Sequence, residues 1–89
     1  MAKVFHAVNP TFGFGETPQW PEGYRQVAET ETDELGKVFE LTNTIDSDWW
    51  LNEGVKSLVG PCRSSSVGDV VVTSDGKTWR CEMVGWEEL

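Results

Sequence analysis

The stretch Val70-Val71-Val72-Thr73-Ser74-Asp75-Gly76-Lys77-Thr78-Trp79-Arg80-Cys81-Glu82-Met83-Val84 decides the fold class. Three β-branched residues run up to Ser-Asp-Gly-Lys, a turn signal, and a second segment of alternating large and polar side chains leaves it. The spacing predicts an antiparallel hairpin over residues 69–84. Trp79, Cys81 and Met83 fall on one face of its returning strand, and Thr78, Arg80, Glu82 and Val84 on the other.

Outward from this hairpin, other short strands can be read. Lys3 to Val8 alternates and stops at Asn9-Pro10, Tyr24 to Glu29 is extended, and Val55 to Val59 ends at Gly60-Pro61. Between Asn9 and Gly23 three prolines and three glycines leave only a long loop. Thr30 followed three residues later by Asp33 resembles a capping box, and Leu35, Val38, Phe39, Thr42 and Ile45 follow the i, i+3, i+4, i+7 rhythm. A helix over 32–45 is expected, with a single helical turn near Asp46 to Leu51. Together these elements predict one α+β domain over residues 1–89, a mostly antiparallel sheet of about five strands carrying one amphipathic helix.

The chain has 89 residues, with 15 acidic against 7 basic side chains and a formal net charge of −8. Each half carries −4: 3 basic and 7 acidic in residues 1–45, 4 and 8 in residues 46–89. Acidity spread over so small a body disfavours direct binding of nucleic acid, whose backbone recognition rests on Lys and Arg. No apolar run approaches the ~20 residues of a membrane span, and the opening segment lacks the apolar core of a secretory signal. A cytoplasmic location without membrane contact is expected. Cys62 and Cys81 lie 19 positions apart with only His6 as a third soft ligand, so neither a zinc site nor, in a reducing compartment, a disulfide is expected.

Catalytic sets are scarce. His6 is the sole histidine, and a serine or cysteine nucleophile ordinarily needs a base beside it. No catalytic residue, metal or cofactor is therefore expected. Gly13-x-Gly15 opens a dinucleotide-type pattern that Pro18 breaks. Arg63, Ser64, Ser65 and Ser66, running into Val67-Gly68-Asp69, offer the makings of an anion nest, with hydrogen bonding to loop backbone as the alternative. Trp49 and Trp50 are adjacent and cannot easily both face one core. An exposed member, with Asp46, Asp48 and the loop aromatics Phe12, Phe14 and Trp20, would form a partner-binding surface, burial of most of them being the competing expectation. Glu29, Glu31, Asp33 and Glu34 form the densest acidic cluster, which a helix N-terminus also explains.

Two stretches carry a resemblance: Phe39-Glu-Leu-Thr-Asn-Thr-Ile-Asp-Ser-Asp-Trp-Trp-Leu-Asn52, and Arg63-Ser-Ser-Ser-Val-Gly-Asp-Val-Val-Val72 continued by Asp75-Gly76, Trp79 and Gly85-Trp86-Glu87-Glu88-Leu89. They resemble small proteins of actinobacterial phages and, more loosely, the YodL-type domains of mobile elements, which share an S-x-S-V-G-D-V stretch and a closing G-[FW]-x-x-[LI]. The resemblance covers about the last half of the chain. It implies an accessory role in a host cytoplasm, with a host or phage protein as partner. Two classes then compete: a protein-interaction module using the aromatic residues, and an acidic nucleic-acid mimic inhibiting a host defence enzyme of the restriction or CRISPR kind.

Overall fold

The computed structural model describes residues 1–10, 18–44 and 48–89. Its elements are β1 (Ala2–Ala7), β2 (Tyr24–Thr30), α1 (Leu35–Thr42), a 3-10 turn η1 (Trp49–Leu51), β3 (Val55–Ser57), β4 (Val70–Val72), β5 (Thr78–Cys81) and β6 (Trp86–Glu88). The strands form one antiparallel sheet in the order β3-β2-β1-β4-β5-β6. The α+β class is therefore observed, with six strands rather than five. The additional strand arises because the segment read as one strand through Val84 stops at Cys81. The chain turns over Met83 and Val84, where the Glu82 N–H donates to the Gly85 carbonyl at 3.0 Å, and Gly85 takes a φ of 79°. That left-handed conformation suits glycine and reverses the strand.

Alternation along β1 sorts side chains to the two sheet faces. Ala2 and Val4, with Ala28 and Val71 both in register with Val4, lie on the face that carries α1. Val27 has no partner on β1, where the register shifts between Val4 and Phe5, and it is fully buried in the same core with Val38 of α1 and Trp49 of η1. Phe5, Ala7, Tyr24 and Val70 lie on the opposite face and make a smaller cluster with Trp20. There Trp20 sits edge-on to both Phe5 and Tyr24, at centroid distances of 4.8 and 5.4 Å. Such edge contacts are favoured by the ring quadrupoles.

The helix is shorter than the expected 32–45. Thr30 is the buried last residue of β2, not a cap, and its hydroxyl donates to the Thr32 carbonyl. α1 begins after Glu34, and the Glu34 N–H is accepted by the Thr32 hydroxyl. At its other end the exposed carbonyls that a helix must satisfy are met from outside: the Asn52 amide donates to Leu41 O at 2.8 Å and the Ser65 N–H to Thr42 O at 2.8 Å. Those tertiary donors stop the helix at Thr42. Its inward face, Leu35, Val38, Phe39 and Thr42, matches the sequence rhythm; Ile45 lies outside the described residues. No helix among the described residues is long and apolar enough to cross a membrane.

Trp49 is 1% exposed, and its indole N–H is directed at the carbonyls of Cys62 and Arg63, at 3.2 and 3.0 Å. Trp50 stands edge-on to it, only partly buried. Trp49→Ala is accordingly expected to destabilise the fold by about 3–5 kcal/mol, and Trp50→Ala by clearly less, as thermal melts of the two variants would show. Equal losses would contradict this division of labour.

Candidate functional site

The most organised polar cluster lies where β1, β4 and the segment 61–69 meet. Asp69 is 3% exposed, so its carboxylate needs internal partners. Oδ1 accepts from the Ala7 N–H at 3.0 Å and from Arg63 Nη2 at 2.8 Å. Oδ2 accepts from Arg63 Nη1 at 2.7 Å and from the Ser66 N–H at 2.8 Å. The guanidinium is thus bidentate, the geometry that matches a carboxylate best. Arg63 also donates to the carbonyls of Ala7 and Ser64, at 3.1 Å each, and to the Ser66 hydroxyl at 3.3 Å.

These bonds settle what the Arg-Ser-Ser-Ser segment holds. The Arg63 guanidinium and the Ser66 N–H form an anion-binding arrangement, and the chain's own Asp69 carboxylate occupies it. Ser64 contributes its carbonyl to Arg63. Ser65 is buried; its carbonyl accepts from the Asn43 amide at 2.7 Å. The hydroxyl of Tyr24 donates to Gly68 O at 2.6 Å, and Gly68 and Asp69 exchange backbone bonds with Cys81. One loop therefore joins β1, β2, β5 and the end of α1.

His6 lies against this cluster, its Nε2 2.9 Å from Ser65 Oγ and 3.9 Å from Asp69 Oδ2. Burial holds its pKa down from 6.5 to about 4, opposed by the Asp69 charge and reinforced by Arg63 and Arg25. The imidazole is neutral at pH 7. A serine hydroxyl beside an imidazole has the distance of a nucleophile and its base. Here, however, Ser65 is 4% and His6 3% exposed. The carboxylate also approaches the same ring nitrogen as the hydroxyl rather than orienting the ring from its other side, as a triad requires. What the arrangement does is fasten strands.

The remaining sequence-predicted residues are dispersed. Trp49 is withdrawn from the partner-binding set by its burial in the core. Trp20 is half-buried in the cluster on the far face, Trp50 is half-buried and Asp48 exposed beside η1, while Phe12, Phe14 and Asp46 lie outside the described residues. Leu51 is 75% exposed next to Trp50, and Leu58 and Val59, following β3, are also exposed. None of these three aliphatic residues is distinctive in sequence, because exposure depends on how η1 packs beside β3.

The acidic set is divided too. Glu29 stands in register between Lys3 and Lys56, an opposite-charge row across strands. Asp33 accepts from the N–H and hydroxyl of Ser74, which hold its carboxyl below the usual range. Glu31 and Glu34 are exposed, and Asp75 of the β4–β5 turn lies close enough to oppose the lowering at Asp33. Asp33, Ser74, Asp75, Thr73, Leu35 and Trp79 line a shallow cavity of about 240 Å³. Among the described residues no cluster of three metal-ligating side chains occurs. Cys62 and Cys81 are free thiols; burial raises both pKa values, that of Cys81 to about 11.

Comparison of the chain with protein-family models, curated proteins and solved structures finds no match.

Two measurements check the cluster. Asp69→Asn strips the countercharge from a partly buried guanidinium, and a loss of about 3 kcal/mol in denaturant unfolding is expected. For His6, the unfolded chain takes a proton below pH 6.5 while the native chain resists until about pH 4. Its contribution is therefore complete above pH 6.5 and is lost as pH falls through that window, about 3 kcal/mol in all. His6→Gln should flatten the slope of stability between those limits; an unchanged slope would refute the assignment.

Proposed function

We propose that this chain is a non-enzymatic accessory protein of a phage or mobile element, acting in the host cytoplasm by binding a host or phage protein. The observation that carries this reading is the apolar corner at η1 and β3, where Leu51 is 75% exposed beside the half-buried Trp50, with Leu58 and Val59 nearby in sequence to β3. Large aliphatic side chains left outside a small domain, one of them next in sequence to a half-buried indole, are residues of the kind found at interaction hot spots. Asp48 and Glu53, both exposed, supply a polar rim. The burial of Ser65 and His6 and the engagement of Asp69 support a binding role over a catalytic one.

A second reading, the acidic mimic, draws support from the convergence of Asp33 with Asp75, which adds charge beside Glu31 and Glu34. An acidic surface of that kind would meet a basic cleft in a defence enzyme, in a salt-sensitive complex.

One comparison separates them: recovery of partners from host lysate by the tagged chain, by Leu51→Asp, and by the double variant Glu31→Lys, Glu34→Lys, at low and high salt. The corner reading predicts a salt-resistant partner lost at least tenfold with Leu51→Asp alone, about 1.4 kcal/mol or more. Loss only with the charge variant, of a nucleic-acid enzyme released by salt, would favour the mimic. Recovery unchanged by either variant would contradict both.

A further inference from the structure

We propose that the outer edge of β6 is a docking strand for an extended, basic segment of a partner protein, added antiparallel or parallel to the sheet. The inference begins with backbone bookkeeping. β6 is the last strand of the sheet, paired only with β5 among the described residues. In an antiparallel pair, alternate residues turn their N–H and C=O toward the neighbour. Leu89 donates to Thr78 O at 2.8 Å and Glu82 to Gly85 O at 3.0 Å, which places the bonded pairs at 78/89, 80/87 and 82/85. Trp86 and Glu88 therefore direct their N–H and C=O groups away from β5, and these are the groups an added strand would use.

The other sheet edge is different. β3 has η1 packed beside it, Val55 N–H donating to Asn52 O and Asn52 N–H to Trp49 O. That edge is guarded, as natural sheets commonly guard their edges. Four strands stand between β3 and β6 in the sheet order, so the outward groups of β6 belong to the opposite sheet edge from the corner around Leu51.

Charge selects the occupant. Glu87 and Glu88 are exposed on β6, and Arg80 stands 4.0 Å from Glu87. A second copy of this strand would bring glutamates against glutamates, which opposes pairing across strands. Successive strand residues face opposite sides of a sheet, so a segment with Lys or Arg at alternate positions would set its charges on the face of Glu88, whereas Glu87, on the other face, already has Arg80 at 4.0 Å. Its intervening apolar residues would fall on the face of Glu87 and the exposed Leu89. The occupant inferred is thus an alternating basic and apolar strand, not a second copy and not an acidic peptide.

The test uses the full chain, isotopically labelled for amide NMR, titrated with a capped synthetic peptide of alternating lysine and valine. Shifts confined to the amides of Trp86, Glu88 and their neighbours are expected, weakening as salt rises from about 0.05 M to about 0.5 M. Glu88→Pro removes one outward N–H while leaving the bonds through Glu87 and Leu89 intact, a position where an edge strand accepts proline. It should keep the thermal melt and lose the peptide shifts. Should that variant fold poorly, Glu87→Lys with Glu88→Lys serves instead, and should exchange preference to a peptide of alternating glutamate and valine. Leu51→Asp should bind the peptide as wild type does, which distinguishes this surface from the corner. Shifts mapping to Asp33 and Asp75, peptide binding that survives Glu88→Pro, or concentration-dependent shifts of the chain alone at Trp86 and Glu88 would each overturn the proposal.

Discussion

The fold depends on one buried carboxylate. Asp69 holds four donors from three places: a strand end at Ala7, a loop backbone at Ser66, and both amino groups of Arg63. A small chain has little apolar surface to hide, and here three-residue strands such as β3, β4 and β6 could not each secure their own register. The Asp69–Arg63 pair fixes the loop that leads from β3 to β4. From that loop, Ser65 closes the end of α1, Gly68 receives the Tyr24 hydroxyl, and the carbonyls of Cys62 and Arg63 receive the Trp49 indole. Desolvating a carboxylate is costly, and only a complete set of partners offsets it; the set is complete, so the same pair that threatens stability also specifies the structure.

Local signals were legible where the chemistry is local. The turn at Ser74 to Lys77, the alternation of β1 and β2, and the inward face Leu35, Val38, Phe39 and Thr42 all follow from neighbouring residues. The helix ends did not. Thr30 and Asp33 have the spacing of a cap, yet sheet pairing claims Thr30, and Asn52 and Ser65 close the far end from outside the helix. The sixth strand escaped for a similar reason: a two-residue turn at Met83 and Val84 carries no strong signal before Gly85, so a single longer strand was the natural reading.

The site was legible only in part. The Arg63-to-Asp69 segment stands out as polar, and its capacity to hold an anion follows from its residue types. That the anion is Asp69, that His6 reaches Ser65 across 59 positions, and that Ala7 reaches Asp69 across 62 are facts of topology that no local pattern carries. Adjacent tryptophans signalled that one would differ from the other; which one entered the core was decided by the carbonyls available to its indole N–H. Leu51 gave no signal of its own, since an exposed leucine is ordinary until its neighbours are known. Among the described residues, His6, Ser65 and Asp69 are buried, whereas Leu51, Val84 and the glutamates of β6 are exposed.

The central claim, that the Asp69 cluster opens only when the whole domain does, is tested most directly by native-state hydrogen exchange. The amides of Ala7 and Ser66, which donate to Asp69, should exchange with the same opening free energy as the slowest amides of the sheet core, because their release requires global unfolding. Exchange of those two amides through a much cheaper local opening, while the core stays protected, would contradict the account.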